Sequence, residues 1–257
     1  MEGIRENFPK SKNPIKSEHL KEGVGAITAC VGTPDQFRDP KDPTRRSSIE
    51  IMQNELEAHN IDFYGEPKGL AKNNVKNAGG GSYVISLIDN KDKFSNGFKN
   101  CTGLVVTGIE KQTGRNISFL SHQYPLYFLG NDDNRVRFTR DLEERLEELK
   151  GKCADKTIDA VIIGGNASIW SLRYQKEYSE SIKLLSEEVR KTLGFEPVAI
   201  TGPKTDEGTD EDMMFTDDVF YDNARRRLYI MRPVVGNATT KSYLPSDLEN
   251  QRKKWGI

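Results

Sequence analysis

Alternating and β-branched residues form the clearest pattern in this chain, and they are concentrated after residue 81. The segment Thr102–Glu110 is rich in Val, Thr and Ile, and the segment Asn116–His122 alternates apolar with polar positions. A polar turn that contains Gly114 separates the two. Two such runs joined by a short glycine-containing turn predict a β-hairpin.

Shorter patterns around this hairpin predict the rest of the domain. Helices are expected from near Thr139 and over Glu177–Leu193, where apolar residues recur at helical spacing and Gly194 follows the second helix. The polar segment Asp89–Asn100 and the residues after Pro125 are expected to be loops. The other strands predicted from apolar runs are Tyr83–Ile88, Asp159–Ile163, Pro197–Thr201 and a closing hairpin of Val219–Tyr221 with Arg227–Met231. This order predicts a layered α+β fold with a central mixed β-sheet or sandwich and two main helices.

Residues 1–81 differ in composition from the rest of the chain. They are rich in proline and polar residues and contain one convincing helix pattern, Ser47–His59. We expect an N-terminal extension that folds weakly alone and packs on the main domain, residues 82–233. Residues 72–81 have the composition of a linker, and residues 234–257 form a C-terminal tail. The expected apolar anchors of the extension are Ile49, Met52 and Phe63.

Composition and charge limit the kinds of partner. The chain has 38 Lys and Arg against 39 Asp and Glu, a net charge of −1, which gives no indication of a nucleic-acid partner. An apolar run of about 18 residues does not occur, so no membrane span is expected. The N-terminus lacks the apolar stretch of a secretory signal. These features favour a cytoplasmic protein.

The three cysteines, Cys30, Cys101 and Cys153, are an odd number without metal-ligand spacing. Free thiols in a reducing compartment are therefore expected, and no metal site. The acidic run Asp206–Asp218 does not have the spacing of a calcium loop and is expected to be solvated. Cys30 and Cys153 have no histidine partner in the pattern and are expected to be structural.

Cys101 and His122 are the candidate catalytic pair. If the two strands of the hairpin pair, Cys101 near the start of the first and His122 near the end of the second lie at the same end. A free thiol is mostly protonated at neutral pH, and an adjacent imidazole promotes the thiolate that acts as a nucleophile. We expect the two side chains within hydrogen-bond reach in a surface cleft. Taken singly, each residue also fits a buried structural role.

The order of these residues resembles the chemoreceptor glutamine deamidase (CheD) family, whose fold is shared with the cytotoxic necrotizing factor type of toxin. The similarity covers roughly residues 82–232. Three features depart from the family pattern: Lys99-Asn100 stands where the family has Gly-Ser, Ser95 stands where the family has Thr, and the spacing from Cys101 to His122 is longer, at 21 residues. The residues that carry the resemblance are Ser95, Gly97, Cys101, His122 with Pro125 after it, and Gly164 with Gly165.

The resemblance implies a cysteine-dependent deamidase that converts protein glutamine to glutamate, releases ammonia and needs no cofactor. Cys101 is then the nucleophile, His122 the general base and acid, and Ser95 the residue that orients His122. The implied binding residues are Gly97, Asn100, Gly164 and Gly165, with loop N–H groups beside the cysteine holding the oxyanion. The implied partner is a protein with a reactive Gln, in the cytosol of the same cell or, for an effector or toxin, of a host cell.

Two other functional classes fit the same residues. A different cysteine amidase or a protease uses the same pair of side chains on another bond. A non-catalytic binding module on the same scaffold is the other alternative, and the altered Lys99-Asn100 is its main support in the sequence.

Overall fold

A computed structural model describes residues 15–16, 26–32, 59–60, 76–77, 82–98, 100–165, 172–201 and 217–231. Residues 47–58 of the expected helix, the anchors Ile49, Met52 and Phe63, the C-terminal tail and nearly all of the acidic run lie outside the described residues. His59, the last residue of the expected helix, begins a short strand instead. Within the described part, the chain forms twelve strands and three helices. The predicted layered α+β fold is confirmed.

The strands form two six-stranded mixed sheets. Sheet I has the order β1-β2-β12-β11-β6-β3, and sheet II has the order β10-β9-β7-β8-β5-β4. The strands of sheet I are β1 (Ile15–Lys16), β2 (Thr28–Gly32), β3 (His59–Asn60), β6 (Lys93–Phe98), β11 (Asp217–Asp222) and β12 (Arg227–Met231). The strands of sheet II are β4 (Lys76–Asn77), β5 (Tyr83–Ile85), β7 (Thr102–Ile109), β8 (Asn116–Gln123), β9 (Asp159–Gly164) and β10 (Val198–Ile200). The predicted hairpin is the antiparallel pair β7–β8, and the closing hairpin is β11–β12.

Three helices cover one face of sheet II. They are α1 (Pro125–Leu129), α2 (Asp132–Lys152) and α3 (Leu172–Leu193). As predicted, α3 ends before Gly194, which has a φ of 83° and donates its N–H to the carbonyl of Arg190. In the described part of the chain, no helix combines the length and apolarity that a membrane crossing requires.

Two apolar cores separate the three layers, because alternate residues of β7 point to opposite faces of sheet II. Leu104 and Val106 pack against the helices, together with Leu142 of α2 and Leu185 of α3. Val105 lies in the second core, between the two sheets. Residues 102–108 and 117–123 of the central hairpin are therefore buried on one side or the other, including the polar ones at the end away from the turn.

Two of the predicted loops are wrong. Within Asp89–Asn100, residues 93–98 form strand β6. The segment reads as a loop because its inward-facing residues Lys93 and Ser95 are polar, yet both are buried, and the Lys93 ammonium is held 2.6 Å from a carboxylate oxygen of Asp89. A buried charge is tolerated when it is paired in this way.

The second error concerns the residues after Pro125. They form α1, and α2 begins at Asp132, seven residues before the expected Thr139. The side chain of Asn131 accepts a hydrogen bond from the N–H of Asn134, which is an ordinary N-cap. The first turns of α2 are largely exposed, and its apolar stripe starts only at Phe138, so apolar periodicity did not reveal the true start.

Four described segments of residues 1–81 contribute strands β1 to β4. β2 pairs in parallel with β12 over five residues, and Ile27 and Ala29 lie in the core between the sheets. The N–H of Ile27 also donates to a carboxylate oxygen of Asp159 in β9, at 2.6 Å. Residues 26–32 are thus built into the main domain, while the boundary at residue 81 stays a prediction for the rest of the region.

Candidate functional site

The register of the central hairpin places Cys101 and His122 at the same end and on the same face of sheet II. Gly103 is paired with His122, and Thr102 with Gln123. Because side chains alternate along a strand, Cys101 projects on the same side as position 103, and therefore on the same side as His122. Cys101 belongs to the core between the sheets. The predicted placement at one end of the hairpin is confirmed.

Ser95 of sheet I reaches His122 of sheet II across the layer between them. Its hydroxyl oxygen lies 2.9 Å from Nδ1 of the imidazole, and both side chains are fully buried. The contact expected between these two residues is present. A catalytic role for it stays a prediction.

A bulge at Gly97 shapes this part of β6. Asp217 of β11 is paired with Phe98, whereas Val219 is paired with Ser95, so β6 has one residue more than its partner here. Gly97 has a φ of 79°, in the left-handed region that favours glycine. The extra residue brings Ser95 and Phe98 to the same side of sheet I, whereas a regular strand would turn them to opposite sides.

Phe98 is the second side chain of β6 that contacts His122. The two rings are stacked, with centroids 3.9 Å apart and planes inclined by 11°. A Cβ at Gly103 would lie 2.7 Å from the Phe98 ring, so the glycine beside Cys101 leaves room for this stacking. His122 is thereby fixed by a hydroxyl at one nitrogen and by an aromatic face.

Burial controls the protonation of His122. Its side chain has no solvent exposure, and desolvation lowers the pKa of the imidazole from 6.5 to about 3. The ring is therefore neutral at physiological pH. When Nδ1–H donates to Ser95, the other nitrogen carries the lone pair that a general base needs.

The expectation of an open cleft is wrong for these side chains. Cys101 is 3% exposed, and Ser95 and His122 are 0% exposed. The reason is sheet I, which packs over the end of the hairpin through β6, a segment whose polar residues predict a loop. The Cys101 side chain is therefore nearly inaccessible to solvent in this arrangement.

The predicted binding residues take different positions around this end. The N–H of Gly97 donates to a carboxylate oxygen of Asp218, at 3.3 Å, which links β6 to β11 at the bulge. Binding by Gly97 stays a prediction. Asn100 is half-buried and directly precedes Cys101. The N–H of Gly165 donates to the carbonyl of Cys101, at 3.0 Å, which holds the Gly164-Gly165 end of β9 beside the cysteine.

Tyr178 of α3 explains the Gly164-Gly165 pair. Its hydroxyl donates to the carbonyl of Gly165, at 2.9 Å, and occupies the position that a Cβ at residue 164 would need. Glycine is required at 164 by this close approach of α3 to the end of β9. The pair serves the backbone geometry next to Cys101, and binding by these glycines stays a prediction.

Sequence reasoning missed Phe98 and Tyr178. Phe98 follows Ser95 by three residues, a spacing that places two residues on opposite sides of a regular strand, so only a bulge at Gly97 would have revealed it. Tyr178 falls on the apolar face of the helix predicted over Glu177–Leu193, where its residue type indicates an ordinary core position. Its hydroxyl was the available signal, because a buried tyrosine usually has a hydrogen-bond partner.

The other cysteines differ from Cys101. Cys153, at the C-terminal end of α2, is a buried free thiol in the core against the helices, and burial raises its pKa to about 11. It remains protonated at neutral pH and is a poor nucleophile. The backbone of Cys30 lies in β2. The structure thus supports the structural role expected for Cys153.

Comparison with known proteins identifies no relative, so a functional proposal has to be argued from the geometry of the site. No known protein-family model matches the sequence, and a search of curated proteins finds no match. Among the described residues, no group of three or more His, Cys, Asp or Glu side chains comes together as metal ligands do.

Proposed function

We propose that the chain is a cysteine-dependent protein glutamine deamidase, related to the chemoreceptor glutamine deamidase family that its sequence resembles. The observation that carries this proposal is the 2.9 Å contact between the Ser95 hydroxyl and Nδ1 of His122, on the face and at the end of the hairpin where Cys101 lies. A thiol, an imidazole and a hydroxyl that fixes the imidazole form the constellation that nucleophilic catalysis uses. The second sheet supplies the hydroxyl, so the arrangement does not come from the hairpin alone.

The reaction needs only these groups and water. The sulfur of Cys101 attacks the carboxamide carbon of a glutamine side chain, and its proton passes to His122. The C–N bond then breaks, the same proton leaves with the nitrogen as ammonia, and a thioester remains. Water, deprotonated by His122, hydrolyses the thioester, which yields glutamate and restores the thiol. In this mechanism, N–H groups of the loop beside Cys101 hold the oxyanion of both tetrahedral intermediates.

Burial sets a condition on this chemistry. A histidine whose pKa is about 3 is a weak acceptor for a thiol proton at neutral pH. Entry of a polar carboxamide next to His122 replaces apolar surroundings with a hydrogen-bonding group and thus raises that pKa toward its ordinary value. The proposal therefore includes a substrate-dependent opening that exposes Cys101 and activates His122 together.

The substrate is a protein with an accessible Gln, and the reaction takes place in a reducing cytosol. That cytosol belongs to the same cell or, if the chain is an effector or toxin, to a host cell. The free thiols of Cys101 and Cys153 support such a compartment.

The test is mass analysis of candidate substrate proteins after incubation with the full-length chain. Each Gln converted to Glu adds about one dalton and releases one ammonia, with no cleavage of the substrate backbone, as hydrolysis of a side-chain amide requires. The matched control is Cys101→Ala, which should give no mass gain. Peptide-bond cleavage would assign the chain to the proteases instead, and conversion by Cys101→Ala would refute the mechanism.

A non-catalytic binding module is the second candidate, and one observation favours it: Cys101 and His122 are both almost completely buried. Iodoacetamide labelling of the folded chain at neutral pH separates the two, with Cys153 as internal reference. An enzyme whose site opens should show Cys101 labelled well before Cys153, whose pKa of about 11 keeps it protonated. Equal, unfolding-limited labelling of both cysteines would favour the binding module.

A further inference from the structure

The residues next to the candidate catalytic pair form a polar cluster on the opposite face of sheet II. Thr102 follows Cys101 and Gln123 follows His122, and the two are paired across the hairpin. Their side chains point toward the helices, where Nε2 of Gln123 donates to Oγ1 of Thr102 at 3.0 Å. Both are fully buried. This end of the hairpin thus carries Cys101 and His122 on the face toward sheet I, and Thr102 and Gln123 on the face toward the helices.

α3 contacts this cluster directly. The hydroxyl of Ser181 lies 2.5 Å from Oγ1 of Thr102, and Ser181 is fully buried. A hydroxyl can donate one hydrogen bond and accept two, so Thr102 can bond to Gln123 and Ser181 at the same time. This contact ties the residue after Cys101 to the helix.

A second connection runs from the same helix to Cys101 itself. Tyr178 donates to the carbonyl of Gly165, and the N–H of Gly165 donates to the carbonyl of Cys101. Tyr178 and Ser181 are three residues apart and therefore lie on one face of α3. The helix thus holds the backbone of Cys101 and the side chain of Thr102 from adjacent positions.

We propose that Tyr178 and Ser181 are positioning residues for the nucleophile: two relays, through Gly165 and through Thr102, fix the segment that carries Cys101. The inference rests on the proposed function for the role of Cys101, but the relays themselves are a property of the fold. The relays hold the thiol at the end of the hairpin beside His122. When they are weakened, Cys101 becomes more accessible and at the same time less well placed for catalysis.

The experiment measures the rate at which iodoacetamide alkylates Cys101 in the folded full-length chain, by peptide mass analysis. Tyr178→Phe and Thr102→Val each remove one hydroxyl with little change in shape. Each should raise the alkylation rate by about tenfold, the equivalent of one hydrogen bond. Thr102→Ser keeps the hydroxyl and should retain the original rate.

Thr107→Val is the matched control, because Thr107 lies on the same strand, is fully buried and donates its hydroxyl to the carbonyl of Ile117 at the far end. Urea unfolding of every variant provides the second measurement. If Thr107→Val accelerates alkylation as much as Thr102→Val at equal loss of stability, the effect is general loosening and the proposal is overturned. A smaller-than-additive effect of combining Thr102→Val with Ser181→Ala would support their coupling in one relay.

Turnover of Gln-bearing substrates by the same variants separates this inference from the proposed function. Faster alkylation together with slower mass gain supports both. If the variants are alkylated faster but the chain does not deamidate through Cys101, the positioning role of the relays is supported and the proposed function is refuted. Deamidation through Cys101 that is unaffected by Thr102→Val and Tyr178→Phe, with unchanged alkylation, overturns the relays alone.

Discussion

The hydroxyl of Ser95 lies 2.9 Å from Nδ1 of His122, although 27 residues separate them and they belong to different sheets. The contact crosses the layer between the sheets, so each sheet contributes a part of the candidate site. A buried hydrogen bond of this kind links function to stability, because its loss leaves a polar group without its partner in an apolar layer.

Ser95→Ala should therefore lower both activity and stability. We expect a loss of about 1 to 3 kcal/mol in the free energy of unfolding, since Nδ1 of buried His122 loses its partner. Turnover should fall by up to about tenfold, because the imidazole is no longer oriented. Urea unfolding and the rate of substrate mass gain measure the two effects.

Ser118→Ala is the control for this change. Ser118 is also a fully buried serine, on the same strand as His122, and its hydroxyl has no hydrogen-bond partner within the described part of the chain. Its removal should be nearly neutral for stability and turnover. Equal losses of stability and turnover in Ser95→Ala and Ser118→Ala would show that the hydrogen bond to His122 contributes to neither.

Cys101→Ala and Cys101→Ser should both abolish turnover, because no other nucleophile replaces the thiol and serine is far weaker beside the same base. Their stabilities should differ. Cys101 lies in an apolar core, so the hydroxyl of serine is buried at a cost, whereas alanine loses only the sulfur contacts. Cys153→Ala should keep full activity. Deamidation by Cys101→Ala, or outright unfolding, would make Cys101 a structural residue.

The central hairpin could be predicted from the sequence, whereas the cover over its end could not. Thr102–Ile109 and Asn116–Gln123 have local, β-branched patterns, and their pairing follows from the short turn between them. Strand β6 has polar Lys93 and Ser95 in buried positions. Lys93 is paired with Asp89, four residues before it, and Ser95 contacts His122 of the other sheet. A buried polar residue whose partner is set by the tertiary fold interrupts the alternation of apolar and polar positions that predicts a strand.

The same distinction applies to the site. Cys101 and His122 are predicted because their chemistry is visible in the residue types, whereas Ser95 is indicated by the resemblance to the deamidase family. The contacts of Phe98 and Tyr178 depend on a bulge and on the approach of α3, which are tertiary features. The degree of burial was also missed, because exposure depends on the packing of one sheet on another.

The pH dependence of stability should report the burial of His122. Its pKa is about 3 in the folded chain against 6.5 ordinarily, so between these values the unfolded chain binds a proton that the folded chain does not. This contribution to stability is present above pH 6.5 and is lost as the pH falls toward 3. The loss of this contribution should lower the free energy of unfolding by about 2 kcal/mol between pH 7 and pH 5.

His122→Gln removes the titrating imidazole. Comparing this variant with the unaltered chain separates the contribution of His122 from that of the carboxylates, which also become protonated in acid. Urea unfolding at pH 7 and pH 5 should show a smaller pH difference for His122→Gln than for the unaltered chain, by about 2 kcal/mol. Identical pH differences would mean that His122 is accessible to protons in the folded state. Turnover by His122→Gln should be nearly as low as that by Cys101→Ala, since the pair acts as a unit.

Gly97→Ala and Gly151→Ala should change stability in opposite directions. A Cβ at either position meets no atom within 4 Å, so the outcome depends on the backbone alone. Gly97 has a φ of 79°, where a Cβ costs about 1 to 2 kcal/mol. Gly151 lies in α2, where alanine is preferred over glycine by roughly 0.5 to 1 kcal/mol. Urea unfolding of the two variants tests the signs.

Gly97→Ala should also reduce turnover more than its loss of stability explains, whereas Gly151→Ala should leave turnover unchanged. The reason is the bulge: Ser95 and Phe98 both face His122 only because β6 has an extra residue at this point. If the strand relaxes toward a regular register to relieve the strained φ, one of the two loses its contact with the imidazole. Full turnover by Gly97→Ala at reduced stability would show that the bulge serves folding and not the site.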